Sequence, residues 1–195
     1  MIRYAVFGSD DSPDALIEQL ESGLDEVQRR TSLLFAYSYS EQQPQSEIHI
    51  WRAHGGEDAL IRLVDDWGVP ARYLVVEAAR PEASAAILDA LADTMEFASL
   101  PELQDQARVA GREQASALVR LALAAGEPVD PSSAELIQRG LRSPDADLRE
   151  AGVLAAALTR SPQFLADLER LYAQETDPTA RDVLAQAIAD CGGQP

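Results

Sequence analysis

Ser143-Pro144-Asp145-Ala146-Asp147-Leu148-Arg149-Glu150 has a counterpart 32 residues later in Glu175-Thr176-Asp177-Pro178-Thr179-Ala180-Arg181-Asp182. The offset aligns Asp145 with Asp177, Leu148 with Ala180, Arg149 with Arg181 and Glu150 with Asp182, and it places Leu136 over Leu168 in the preceding segments. Ser-Pro or Asp-Pro pairs punctuate the chain at Ser12-Pro13, Asp130-Pro131, Ser143-Pro144, Ser161-Pro162 and Asp177-Pro178. A Ser or Asp oxygen accepts from the unpaired N–H groups that open a helix, and proline fits the first turn because it has no N–H to satisfy. Four of the five pairs follow residue 129 at steps of thirteen to eighteen residues. They predict short helices over 132–141, 144–159, 162–173 and 178–190, stacked at a near-regular period.

Upstream, 81–97 reads as an Ala/Leu-rich helix and 102–125 as one long helix or two broken at Gly111. From the start to residue 79 the period alternates between 2 and 3.6, the marks of strands and amphipathic helices. Strands are predicted over 2–8, 32–40, 47–53 and 72–78, with one helix over 13–27 and a second opening at Glu57-Asp58. The first helix carries Leu16, Leu20, Leu24 and Val27 on one face. The second carries Leu60, Ile61, Leu63, Val64 and Trp67, and ends at Gly68. The order is β-α-β-β-α-β.

Two resemblances follow. The order over 1–79 resembles the ferredoxin-like split βαβ fold, which implies two right-handed crossovers and both helices on one face of a four-stranded sheet. RNA-recognition motifs share this topology, but the third strand, Glu47-Ile48-His49-Ile50-Trp51-Arg52, lacks their basic-Gly-aromatic signature. The Asp-x-x-x-Arg step over about 100–190 resembles the inner turn of a HEAT-type repeat, in the short form of phycobilisome-lyase-like proteins. A looser copy begins near Arg112-Glu113. This resemblance implies a ladder of Asp145, Arg149, Asp177 and Arg181 between repeats, with the second helix of each pair lining a concave face. By that logic Asp147, Glu150, Asp182 and Gln186 are the exposed contact positions. The fold class is therefore α+β, with a βαββαβ ferredoxin-like domain over 1–79 and an all-α HEAT-like array over 80–195.

The 195 residues are 46% apolar and 25% charged, enough for a real core. The outlier is charge: 33 acidic residues stand against 16 basic ones, for a net charge of −17. Such a field repels phosphate backbones and anionic lipids and draws in basic partners. All the basic residues are arginine, as GC-rich coding would give, and this excludes lysine Schiff-base and phosphate-loop lysine chemistry. The single Cys191 forms no internal disulfide. With no signal-like apolar run and no span of roughly 18 apolar residues, the expected location is the cytoplasm.

Candidates for chemistry are few. His49 and His54 are five apart, neither a helical pair nor a zinc spacing, so no metal or cofactor is expected. Asp10, Asp11 and Asp14 follow the first strand, where some α/β enzymes keep magnesium ligands, but Ser12, Pro13 and Asp14 also make an ordinary helix start. Asp65-Asp66 falls late in the predicted second helix, where acids oppose the dipole. Gly8-Ser9-Asp10 lacks the rest of a phosphate loop. Phe35, Tyr37 and Tyr39 alternate on strand two and His49 and Trp51 on strand three, a set that seats either an internal helix or an external protein.

The composition thus points to non-catalytic recognition of a protein with a basic surface. In acidity and repeats the chain resembles small immunity proteins of bacterial toxin systems, which implies neutralisation of a basic toxin such as a nuclease. The competing classes are a lyase-like or small-molecule-binding protein with a site between the two domains near His49, Trp51, His54 and Asp10, and a scaffold that dimerises through an open sheet face.

Overall fold

The computed structural model describes residues 2–7, 11–55, 58–68, 71–111, 113–126 and 128–194. The chain divides into two compact units, Met1–Ser99 and Leu100–Pro195. The first contains β1 (Ile2–Val6), α1 (Pro13–Thr31), β2 (Leu34–Gln43), β3 (Ser46–His54), β4 (Ala59–Asp66), β5 (Ala71–Ala78) and α2 (Pro81–Leu91). The strands form one sheet ordered β1-β5-β4-β3-β2, with every neighbouring pair antiparallel. Four successive reversals leave β1 and β2 pointing the same way at the two edges. Helix α1 is therefore a crossover spanning the whole sheet, and β2 to β5 return as a meander.

This corrects the expected second helix. Its residues form strand β4, and the order is βαββββ in place of the ferredoxin-like βαββαβ. The cause is burial on both faces. Ala59, Ile61 and Leu63 join the core beneath the helices, while Leu60 and Val64 are buried on the opposite side. A strand buried on both sides loses its alternation, and the remaining Leu60, Ile61, Leu63, Val64 run imitates a helical stripe. Its short length and β-branched Ile61 and Val64 suit a strand. Asp65 then lies at a strand end, paired with Arg72 at 2.9 Å, and Asp66 accepts from the Gly68 N–H in the next turn.

The boundary moves from 79/80 to 99/100 because α2 packs on α1, β1 and β5. Leu16, Leu20 and Val27 of α1 and Ile87 and Leu91 of α2 share one core with Trp51, Leu74 and Val76. Two helices do cover one sheet face, but α2 fills the place expected of the second predicted helix. After α2 the chain runs back along β1, where the Ala98 N–H donates to the Val6 carbonyl at 2.8 Å and Phe97 stacks on Phe7.

The aromatic stripe on β2 is also corrected. A bulge between Tyr37 and Tyr39 sets Tyr37 opposite Trp51 and Tyr39 opposite Ile50, so the two tyrosines leave the sheet on different faces. Phe35 and Trp51 are in the helix-covered core, and Tyr37 meets Trp51 edge-on with ring centroids 5.3 Å apart.

The second unit contains α3 (Leu100–Arg108), α4 (Gln114–Ala124), α5 (Pro131–Leu141), α6 (Ala146–Thr159), α7 (Leu165–Gln174) and α8 (Pro178–Asp190). Of the two readings of 102–125, the chain follows the one broken near Gly111, between α3 and α4. Of the five punctuating pairs, three cap as expected: Ser12 accepts from the Ala15 N–H, Asp130 from Ser132 and Ser133, and Asp177 from Ala180. At Ser143-Pro144 the cap is Asp145, which accepts from the Leu148 N–H at 3.0 Å. Ser161-Pro162 opens a 3-10 turn, Pro162–Phe164, that leads into α7 without a side-chain cap.

The six helices pack as chain neighbours in the pairs α3/α4, α5/α6 and α7/α8. Alternate helices also stack, α3 on α5 on α7 in one layer and α4 on α6 on α8 in the other. Helices α5 and α6 approach backbone to backbone at Gly152, where a Cβ would lie 2.5 Å from the Leu141 nitrogen. The end of α8 is tied to α6 by Cys191, whose buried thiol lies 3.4 Å from the Ala156 carbonyl oxygen. Burial, aided by Asp190, pushes that thiol up to about 11.

Candidate functional site

The starts of α6 and α8, the end of α7 and the turn after α5 enclose a cleft of about 690 Å³. Its floor includes Leu141, Val153, Leu171, Val183 and Leu184, and its charged lining is Arg142, Arg149, Arg170, Glu150, Glu175 and Asp177. Each arginine is held by acceptors of the protein itself. Arg142, just past α5, donates Nε and Nη2 to the two oxygens of Asp167 at 2.9 and 2.7 Å, and Arg170 donates Nη2 to the same carboxylate at 2.9 Å. Asp167 is only 7% exposed. The hydrogen bonds from Arg142, opposed by burial and aided by Arg170, hold its carboxyl below the usual 3.8. Arg149 points Nη1 at the carbonyls of Ser143, Pro144 and Asp145, closing the turn that precedes α6.

The acidic lining is mostly engaged with backbone. Glu175 accepts from the Thr176 and Asp177 N–H groups, and Asp177 from Ala180. Among the described residues, the four expected to form a ladder make no ion pair with one another. Asp145 and Asp177 cap their own helices, Arg149 serves its own turn, and Arg181 stacks on Tyr172, 4.5 Å from the ring centre. The side chains that join one helix pair to the next include Gln104, which donates to Asp130 and Ser133, and Arg142 with Asp167, 25 residues apart. No periodic signal marks that pair, because one member follows a helix end and the other lies in a first turn.

Of the four contact positions read from the repeat, Glu150 lines this cleft and Asp147 lies one turn before it on the exposed face of α6. Asp182 and Gln186 are exposed on α8 outside the cleft, and Gln186 donates to Asp190 at 2.9 Å. The exposed stripes also carry apolar groups, Leu154 and Leu158 on α6 and Val183 on α8.

A second charged surface lies on α1. Asp14, Glu18, Glu21 and Asp25 recur at i, i+4, i+7 and i+11 and are all exposed, opposite the buried Leu16, Leu20 and Val27. Among the described residues none of the four has an arginine partner. The neighbouring α2 adds exposed Glu82 and Asp89, and the basic groups beside them, Arg29 and Arg30, are engaged with Glu26 and Asp93. This stripe was readable in the spacing of the carboxylates.

The remaining candidates are separate. Gly8, Ser9 and Asp10 lie outside the described residues, as does Arg112 of the looser repeat copy. Asp11 accepts from Gln19 at 3.2 Å and gives its carbonyl to Arg72. His49 is half-buried beside Tyr37 and Trp51, and His54 is exposed at the end of β3. Among the described residues no group of three or more His, Cys, Asp or Glu is placed to hold a metal ion, and no helix is long and apolar enough to cross a membrane. Comparison with family models, curated proteins and solved structures gives no match to this chain.

Proposed function

We propose that this chain is a non-catalytic binding protein that captures a basic protein partner on its acidic helix faces. The observation that carries this reading is the stripe of Asp14, Glu18, Glu21 and Asp25, four carboxylates on one helix with no arginine partner among the described residues. Retaining unpaired like charges on one face is unfavourable for the free protein and favourable on contact with a cationic surface, where they also accelerate encounter. Asp147, Glu150 and Asp182 extend the same sign to the helical unit. The alternate stacking of α3 to α8 supports treating that unit as a HEAT-like array. In its sharpest form the partner is a basic toxin such as a nuclease, whose phosphate-binding site an acidic surface occupies, as in an immunity protein.

The test is capture from a lysate of the source organism at low and high salt, with mass spectrometry of the retained proteins, beside a variant carrying Asp14→Arg, Glu18→Arg, Glu21→Arg and Asp25→Arg. A basic protein retained at low salt, released at high salt and lost by the variant is expected. Association with that protein should slow by about tenfold or more in the variant. Retention unchanged by the variant, or retention of no basic protein, would remove the proposal.

A further inference from the structure

We infer that a second copy of this chain pairs with the open edge of β2, antiparallel and about a two-fold axis, so that two five-stranded sheets join into one of ten strands. The interface does not use the acidic helix faces and is independent of capture of a basic partner.

The free edge is the first reason. β2 ends the sheet order, and among the described residues no strand lies beyond it. Nine of its ten residues are exposed. Such an edge presents a row of N–H and C=O groups that another strand can satisfy, and natural edges are guarded by proline, charge or a covering element. Leu34–Ser40 has no proline and no charge, and Leu34, Tyr37 and Tyr39 are 51%, 48% and 44% exposed. The other edge differs. β1 has five residues, and the Ala98 N–H already donates to its Val6 carbonyl.

The bulge is the second reason, because it selects the register. Leu34 and Ala36 before it and Tyr39, Glu41 and Gln43 after it share the face turned away from the helices, while Phe35, Tyr37, Ser40 and Gln42 share the covered one. Residues opposite each other in a sheet point to the same face, so a pair using the whole strand must be centred on the bulge. Aligning the strand ends sets Leu34 opposite Gln43, Phe35 opposite Gln42, Ala36 opposite Glu41 and Tyr37 opposite Ser40 of the second copy. Each of these pairs shares a face. A centre at Glu41 would use half the strand and set that carboxylate against its own copy, which is unfavourable.

Charge is the third. Glu41 is the one charged residue of β2, and in this register it meets Ala36 of the second copy, whose neighbour on β3 is Arg52. Arg52 is exposed and makes no hydrogen bond or ion pair among the described residues, and Glu41 accepts there only from Gln43, at 3.3 Å. Their Cα atoms would stand about 10 Å apart, two strand spacings, with only a methyl group between. Glutamate and arginine side chains close that span, and symmetry makes the contact twice. Within one chain Glu41 lies opposite Ile48, four residues from Arg52, and the two do not pair. The net charge of −17 opposes self-association, but charges beyond about 8 Å are screened at physiological ionic strength. Ten paired residues supply about ten backbone hydrogen bonds, as many as a typical interface carries.

The test is the mass of the full chain by sedimentation equilibrium at physiological ionic strength, over about 1–100 μM because pairing follows mass action. A dimer of twice 21.1 kDa is expected. Glu41→Arg or Arg52→Glu alone should raise its dissociation constant about tenfold, and the two together should restore it. Ser38→Lys with Tyr39→Lys sets four lysines at the axis and should leave a monomer; where that variant fails to fold, the charge exchange decides. A monomer at the highest concentration, a dimer untouched by the folded lysine variant, no weakening by either single exchange, or no recovery in the double exchange would each overturn the proposal. Asp14, Glu18, Glu21 and Asp25 are intact in every variant, so this outcome is separable from capture of a basic partner.

Discussion

In the Met1–Ser99 unit the central strand β4 pairs with β3 and β5 and is buried on both faces, so one element belongs to the whole core. In the Leu100–Pro195 unit each helix meets its chain neighbour and the helix two along, and no element touches all the others. The two units therefore differ in how far damage travels. A defect in the sheet should be global to its unit, and one in the helical stack should spread only to adjoining helices. They differ in charge as well, with eighteen acidic residues against seven arginines in the first and fifteen against nine in the second.

The sharpest way to break this contrast is Ile61→Ala. Removing a fully buried side chain from β4 should cost about 4 kcal/mol. Denaturant unfolding followed by the emission of buried Trp51 reads this directly, and an unchanged midpoint would deny β4 its central role. Next is Gly152→Ala, whose added methyl meets the α5 backbone and should cost about 3 kcal/mol. Its loss should appear in the helical far-UV circular dichroism transition. A Trp51 transition moving in step with it would show that the two units unfold as one.

Asp167→Asn should cost about 1–2 kcal/mol near pH 7, since the two arginines it pairs with are half-exposed and screened. Its folded carboxyl is held below its usual 3.8, so the stabilisation is complete above that value and is lost as pH falls through the lower folded value. Unfolding midpoints from pH 5 to 2 should therefore fall more steeply in the wild type than in the variant, and parallel curves would refute the assignment. The smallest effect is expected from Asp147→Arg with Glu150→Arg. Both side chains are exposed and neither caps a helix, so stability should move by no more than about 0.5 kcal/mol while association with a basic partner slows. A large fall in melting temperature would mean that they serve the stack and not a partner.

The helical unit was legible because its signals are local. A capping oxygen beside a proline acts within one turn, and helices α5 to α8 lie within a few residues of their expected ranges. The sheet unit is legible only where polar residues keep the alternation. Along β3 both faces are buried at Ile50 and Trp51, yet His49 between Ile48 and Ile50 still marks a period of 2. Along β4 no such residue interrupts the apolar run at Leu60-Ile61 or Leu63-Val64, and the pattern imitates a helix. The bulge near Ser38 was likewise silent, because no residue type there demands it, yet it sends Tyr37 and Tyr39 to different faces. The cleft was half legible. Glu150 and Arg149 came from the repeat, whereas Arg142, Asp167 and Arg170 become neighbours only when α5 and α7 stack.

The sequence alone determined the two-part organisation, the punctuation of the last four helices, the acidity, and the scarcity of groups for catalysis, because each is a property of composition or of contacts within a turn. Tertiary structure decided that 59–66 is a strand, that α2 belongs to the sheet, and that an arginine-lined cleft exists within an acidic chain. Each of these depends on burial or pairing between residues far apart in sequence, and the free energy of such contacts outweighs local pattern wherever the two disagree.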